Sequence, residues 1–197
     1  MKFTNGYWRI QKGMDMRYAV EAYQFDKGLD YLRVVAVCRP VRGRGDLLNL
    51  PTLTVTFTSP QPDTIRVRIV HFAGQKVHAP KLSITESPAS PVISETEDAV
   101  CFTSGHLTAR VHKGAWQVDY LADGELLTQS GYHGMASALN ERTGLSYMLE
   151  NLMLDVGENV YGLGEHFGPY VKNGQSIDFW NEDGGTASEQ GYKNVPF

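Results

Sequence analysis

With 197 residues, 42% of them hydrophobic, the chain has the length and apolar content of one compact domain, at roughly 100–200 residues per domain, and is too short for two large ones. Its 18 Lys and Arg against 22 Asp and Glu give a formal charge of −4 with no long block of one sign, which excludes the clustered basic footprint of a nucleic-acid binder. The longest unbroken apolar run, residues 34–38, has five members, whereas a membrane-crossing helix needs about 20.

Met1 to Asn5 lead straight into Gly6, Tyr7 and Trp8 with no apolar h-region and no small-residue cleavage site, which predicts a cytoplasmic protein without a secretory signal. Strands are expected over 17–25 and 29–39, broken at Asp26-Lys27-Gly28. Cys38 and Cys101 fall in strand-like runs and are read as buried free thiols of an intracellular chain. Arg44-Gly45-Asp46 matches an adhesion tripeptide, but three residues match by chance often and it is set aside.

Leu53, Val55 and Phe57 alternate with Thr52, Thr54, Thr56 and Thr58, and Ile65, Val67 and Ile69 alternate with Arg66 and Arg68. A period of two gives a strand one apolar and one polar face. Ser59-Pro60-Gln61-Pro62-Asp63 joins the two runs; proline lends no amide hydrogen to a ladder and keeps the residue before it out of helix, so this is a hairpin connection. Three prolines and six Ser or Thr between 79 and 98 predict an exposed polar loop. Strands follow over 99–104, 107–113 and 116–121, punctuated by Ser104-Gly105, Lys113-Gly114 and Asp123-Gly124. The best helical candidate, Met135 to Arg142, has no clear apolar stripe. Short strands every 8–12 residues with glycine turns and little helix predict an all-β chain of antiparallel sheets, a sandwich or a barrel.

His106 and His112 share strand parity but lie six residues apart, about 20 Å at ~3.3 Å per residue, so one metal cannot join them; neither metal nor cofactor is expected. Gly162-Leu163-Gly164 is followed by Gly168, one residue off the dinucleotide spacing, and Pro169 opposes the helix that a pyrophosphate site requires. Close backbone packing at a turn is expected there instead.

Residues 160–197 gather Tyr161, Phe167, Tyr170, Phe179 and Trp180 with Glu165, Asp178, Glu182, Asp183 and many glycines. Sugars present apolar C–H faces and a rim of hydroxyls, which this mixture suits. A long turn-rich loop whose aromatics finish a core fits the composition as well. Glu182 and Asp183, adjacent on an extended loop, tend to point apart, whereas glycosidic acid and base chemistry needs two carboxyls facing each other at about 5–9.5 Å.

Val160-Tyr161-Gly162-Leu163-Gly164-Glu165-His166-Phe167, then Asn173-Gly174-Gln175, Trp180-Asn181-Glu182-Asp183-Gly184-Gly185 and Tyr192-Lys193-Asn194-Val195-Pro196-Phe197, resemble the N-terminal domain of glycoside hydrolase family 31, nearest its bacterial α-xylosidase branch. The resemblance runs through the whole chain, from Gly6-Tyr7-Trp8 through Val67 to Phe72 and Ser104-Gly105-His106-Leu107. It implies a single domain over 1–197, an antiparallel β-sandwich of the galactose-mutarotase-like (supersandwich) type, with a loop over 160–197 that reaches toward a (β/α)8 barrel.

In that family the barrel carries both catalytic aspartates, the nucleophile in a W-x-D-M-N-E type motif. The only Asp-Met pair here, Asp15-Met16, is flanked by Met14 and Arg17 and does not match. The resemblance therefore implies no catalytic residue in this chain, which on its own should be inactive. It implies a substrate-binding role for Asp183, bonding hydroxyls of the sugar beside the scissile bond. Trp180 is expected either to support the loop or to pack on a sugar face, and Glu182 to face solvent. The implied partners are an α-linked xyloside or glucoside, the catalytic barrel of the same full-length chain and, left open, further copies in a homo-oligomer.

The apolar ending at Lys193 to Phe197 reads as a cut inside a longer protein. Two other functions compete: a self-sufficient carbohydrate-binding module, and an aldose mutarotase. The second needs a His and a Glu on one concave face, whereas adjacent Glu165 and His166 would face opposite ways on a strand.

Overall fold

The computed structural model describes residues 9–71, 85–179, 181 and 191–195. In chain order these form β1 (Met14–Tyr18), β2 (Glu21–Lys27), β3 (Tyr31–Val37), β4 (Thr52–Thr58), β5 (Arg66–Val70), β6 (Val92–Glu95), β7 (Ala99–Ser104) and β8 (Leu107–His112). There follow β9 (Gly114–Ala115), β10 (Val118–Ala122), β11 (Glu125–Ser130), β12 (Met135–Asn140), β13 (Ser146–Glu150), β14 (Gly164–His166) and β15 (Gly191–Asn194). One 3-10 turn, Arg44–Leu47, is the helix among the described residues, and it takes in the Arg-Gly-Asp tripeptide. The chain divides into two compact units, one of residues 12–153 and one of residues 1–11 with 154–197.

In the 12–153 unit two five-stranded antiparallel sheets, ordered β5-β4-β3-β2-β9 and β11-β10-β8-β7-β6, share one core. The alternation read in the sequence explains it: Leu53, Val55 and Phe57 are fully buried while the threonines between them are not. Leu32, Val34 and Ala36 add to the same sheet's inner face, and Val100, Phe102, Ala109, Val111 and Val118 come from the other. Phe57 and Phe102 meet across the core with ring centroids 6.5 Å apart. The expected all-β antiparallel sandwich is what these residues build.

Three local expectations need correction. The predicted single strand over 17–25 is two, because the chain changes sheets at Ala19 and Val20: the Ala19 amide donates to the Met135 carbonyl (2.8 Å) and the Val20 amide to that of Val37 (2.9 Å). Tyr18, Ala19 and Val20 are apolar in succession and the buried Ala19 and Ala22 are three apart, so no simple period of two locates the switch. Met135 to Arg142 is not a helix; it supplies β12, the central strand of the sheet β1-β12-β13. Ala136 and Ala138 are fully buried there, and pairing on both edges overrides the weak β-propensity of alanine. The polar 79–98 connection contains β6, whose Ile93 packs on the core. Pro88 and Pro91 stop short of it, and an edge strand tolerates proline nearby.

Ion pairs fasten the edges. Glu95 accepts from Lys113 (2.7 Å) and from Lys27; these bonds, that of Lys113 first, hold its carboxyl down at about 2. On the outer face of the second sheet, Asp119 is nearly buried and accepts from Arg110 Nε and Nη2 (3.1 and 2.9 Å), His112 Nε2 (2.7 Å) and Gln117 Nε2 (2.7 Å). Burial is the largest influence on this carboxyl and pushes its pKa up, but the bonds from His112, Gln117 and Arg110 together outweigh it and leave it lowered. His106 sits in the turn before β8, its Nδ1 2.7 Å from Asp123 Oδ1. Both histidines thus serve carboxylates on the sheet surface.

Glu150, at the end of β13, is an exposed residue by its surface area, yet protein packed around its carboxyl withdraws water from it and pushes it from 4.5 up to about 7. The folded chain therefore holds this proton longer than the unfolded one. The resulting contribution to stability is fully present below about pH 4.3 and is lost as pH rises through about 7. Urea midpoints measured from pH 5 to pH 8 should fall for the native chain and fall less for Glu150→Gln; equal slopes would exclude this role.

Candidate functional site

The second unit is built from turns rather than long strands. Over 158–175 the chain closes on itself: the Val160 amide donates to Asn173 Oδ1 (2.7 Å), Asn173 Nδ2 to the Glu158 carbonyl (2.9 Å), and the Lys172 amide to the Val160 carbonyl (2.8 Å). Asparagine suits this because its short amide both donates to and accepts from nearby backbone. Lys172, only 8% exposed, donates from Nζ to the Pro169 carbonyl (2.8 Å). The closure brings Tyr161 and Tyr170 together, centroids 5.2 Å apart at 45°.

The glycine motif then turns the chain into a small hairpin. Gly162, Leu163 and Gly164 have φ of 88°, 70° and 95°, a left-handed run that costs a glycine little and a leucine more. A Cβ on Gly164 would stand 2.1 Å from the Lys193 carbonyl oxygen, so the expected close backbone packing is present. The strained Leu163 is held by its carbonyl, which accepts from His166 Nε2 (2.8 Å) and the Val195 amide (3.2 Å). β14 pairs antiparallel with β15, Glu165 opposite Lys193 and His166 opposite Gly191. Phe167 meets Tyr192 edge to face, centroids 6.3 Å apart at 78°.

The hairpin also holds both flanks of the segment that carries the sugar-binding candidates. Asn181 forms a parallel bridge with Gly191, and its Oδ1 accepts from the Asn194 amide and from Asn194 Nδ2, both at 2.8 Å. Asn181 and Gly191, the described residues on either side of 182–190, therefore lie side by side. Asp183, Trp180 and Glu182 lie outside the described residues. The Asn181–Asn194 lock was missed in the sequence; its signal was an asparagine on each side of a glycine-rich stretch, a residue type that bonds backbone in turns.

Of the other candidates, Glu165 and His166 are neighbours on β14, with the His166 Nε2 committed to the Leu163 carbonyl. Cys38 and Cys101 are free and half-buried. Among the described residues no three His, Cys, Asp or Glu side chains gather as a metal would require. Chemically, this arrangement can present a loop and an aromatic surface.

The model of the family described as the glycosyl hydrolase 31 N-terminal galactose mutarotase-like domain matches residues 53–197. Alpha-xylosidase XylQ of Lactiplantibacillus pentosus is 38% identical over 198 residues, taking in 100% of this chain and 26% of that protein. An alpha-xylosidase of Emericella nidulans is 36% identical over 222 residues, 100% of this chain and 28% of that protein. The chain thus spans about a quarter of the length of the curated relatives it matches. Among solved structures, the cycloalternan-forming enzyme of Listeria monocytogenes in complex with pentasaccharide substrate aligns at TM-score 0.66 and 18% identity, over 93% of this chain and 16% of that one. A GH31 dextranase of Flavobacterium johnsoniae aligns at 0.58 and 14%, over 88% and 20%. At these identities the structural likeness concerns the fold.

Proposed function

Because this chain belongs to the glycosyl hydrolase 31 N-terminal galactose mutarotase-like domain family, we propose that it is the non-catalytic N-terminal part of a retaining α-glycosidase. The parent acts on α-linked xylosides or glucosides. Residues 1–197 serve as one domain whose 160–197 loop extends toward the catalytic barrel and completes its sugar site. The observation that carries this reading is a full-length match to two alpha-xylosidases of which the chain covers only about a quarter.

Two features support the division of labour. The bridge between Asn181 and Gly191 brings together the two described residues that flank the sequence stretch carrying Asp183, the residue proposed to bond the sugar. No catalytic aspartate motif of the family is present in the sequence, so nucleophile and acid–base belong to the barrel. The two free cysteines fit a reducing, cytoplasmic setting for the parent.

Calorimetric titration of the chain with xylose, isoprimeverose and maltose tests the reading. A site lacking most of its wall should bind weakly, with dissociation constants in the millimolar range or beyond, on the order of 4 kcal/mol or less. Micromolar binding would instead identify a self-sufficient carbohydrate-binding module.

A further inference from the structure

The closure over 158–175 hangs on one side chain and one turn. Asn173 is the clasp: its Oδ1 accepts from the Val160 amide (2.7 Å) and its Nδ2 donates to the Glu158 carbonyl (2.9 Å), so one amide group, acceptor and donor at once, ties the two ends together. The Gln175 amide donates to the Lys172 carbonyl (3.0 Å), which makes Lys172 to Gln175 a β-turn. Gly174, third in that turn, has φ of 73°, a sign that a type II turn demands there and that glycine adopts at no steric cost. The clasp thus calls for asparagine at 173 and the turn for glycine at 174. Together they create an Asn-Gly pair, one of two in the chain beside Asn5-Gly6. Asparagine is among the thermolabile residues, and a following glycine has no side chain to obstruct attack by its own amide nitrogen.

We propose that Asn173 is a deamidation site, gated by the closure it fastens, and that its reaction unlatches residues 158–175 irreversibly. The proposal goes beyond the glycosidase reading and does not depend on it. The Gly174 nitrogen, its proton taken by solvent hydroxide, attacks Asn173 Cγ; the Cγ–Nδ2 bond breaks, and Nδ2 leaves as ammonia with a proton returned by water. Water then opens the succinimide, at Cγ to give aspartate or at the main-chain carbonyl carbon to give isoaspartate. Overall a water enters, an ammonia leaves, and nothing is oxidised or reduced.

In the closed loop both polar atoms on Cγ are held by residues 158 and 160. Cγ turns toward Gly174 only when those bonds open, so the rate follows the open fraction. In the product the ionised carboxylate only accepts. The Glu158 carbonyl then loses its donor and meets a negative oxygen, which opposes reclosure.

Peptide mass spectrometry on the 197-residue chain at pH 8, with and without denaturing guanidinium chloride, tests the proposal through the mass gained when the amide becomes an acid. In guanidinium, Asn173 should convert on the same timescale as Asn5, its chemical reference. Without it, Asn173 should convert at least about tenfold more slowly than in guanidinium. Val160→Pro, which removes the amide that holds Oδ1, should bring the native rate back toward the denatured one. Asn173→Asp should speed hydrogen exchange over 158–175 by about tenfold, while unchanged exchange over 99–111 shows the sandwich core intact in both variants.

Equal rates with and without guanidinium would overturn the gating, as would a native rate that Val160→Pro leaves unchanged. Conversion of Asn5 without that of Asn173 in guanidinium would remove the site itself. Unaltered exchange over 158–175 in Asn173→Asp would overturn the unlatching.

Discussion

Replacing Phe102 by alanine is expected to destabilise the chain by about 3–5 kcal/mol, a large share of the roughly 5–15 kcal/mol that holds a domain folded. Phe102 is fully buried on β7 with Ile93 of β6 on one side and Ala109 of β8 on the other. Across the sandwich its ring faces that of Phe57. Truncation removes the transfer energy of the ring and leaves a void that paired backbone on both sides keeps from collapsing. Leu29 is the control: it is 96% exposed, so Leu29→Ala should change stability by no more than about 0.5 kcal/mol. Urea unfolding followed by circular dichroism separates the two, and similar losses for both would mean the core is not where these sheets meet.

In the full-length parent, Asp183→Ala is expected to lower kcat/KM by about 10²-fold, the loss associated with misplacing a substrate at its reacting centre. A carboxylate that accepts from sugar hydroxyls makes charge-assisted bonds, roughly twice as strong as neutral ones. Those bonds orient the ring and strengthen as it distorts toward the oxocarbenium-like transition state. A residue acting this way should cost kcat as well as KM, because its bonds are stronger in the transition state than in the ground state. Asp183→Asn, which keeps the shape and loses the charge, should fall between. An unchanged kcat/KM in a folded Asp183→Ala parent would remove this residue from the sugar site.

Those parts of the fold that local chemistry determines were legible in the sequence. Thr-flanked Leu53, Val55 and Phe57 announce a strand with one dry face, and the turn at Ser59 to Asp63 follows from two prolines. What escaped was set by partners distant in the chain. β12 is a strand because β1 and β13 flank it, and nothing in Met135-Ala136-Ser137-Ala138 states that. The break at Ala19 and Val20 exists because one half of the run bonds to β12 and the other to β3. At the candidate site a turn with close backbone packing at Gly162-Leu163-Gly164 was readable from its glycines, while the left-handed φ of Leu163 was not. The Asn181–Asn194 lock was not, since it joins residues 13 apart whose meeting depends on the hairpin.

Turnover of an aryl α-xyloside by the purified 197-residue chain, beside its full-length parent, tests the division of labour most directly. No hydrolysis above the uncatalysed rate by the chain, with turnover by the parent, is the expected result. Sustained turnover by the chain alone would show that it carries its own reactive groups, and would contradict the assignment of the chemistry to the rest of the enzyme.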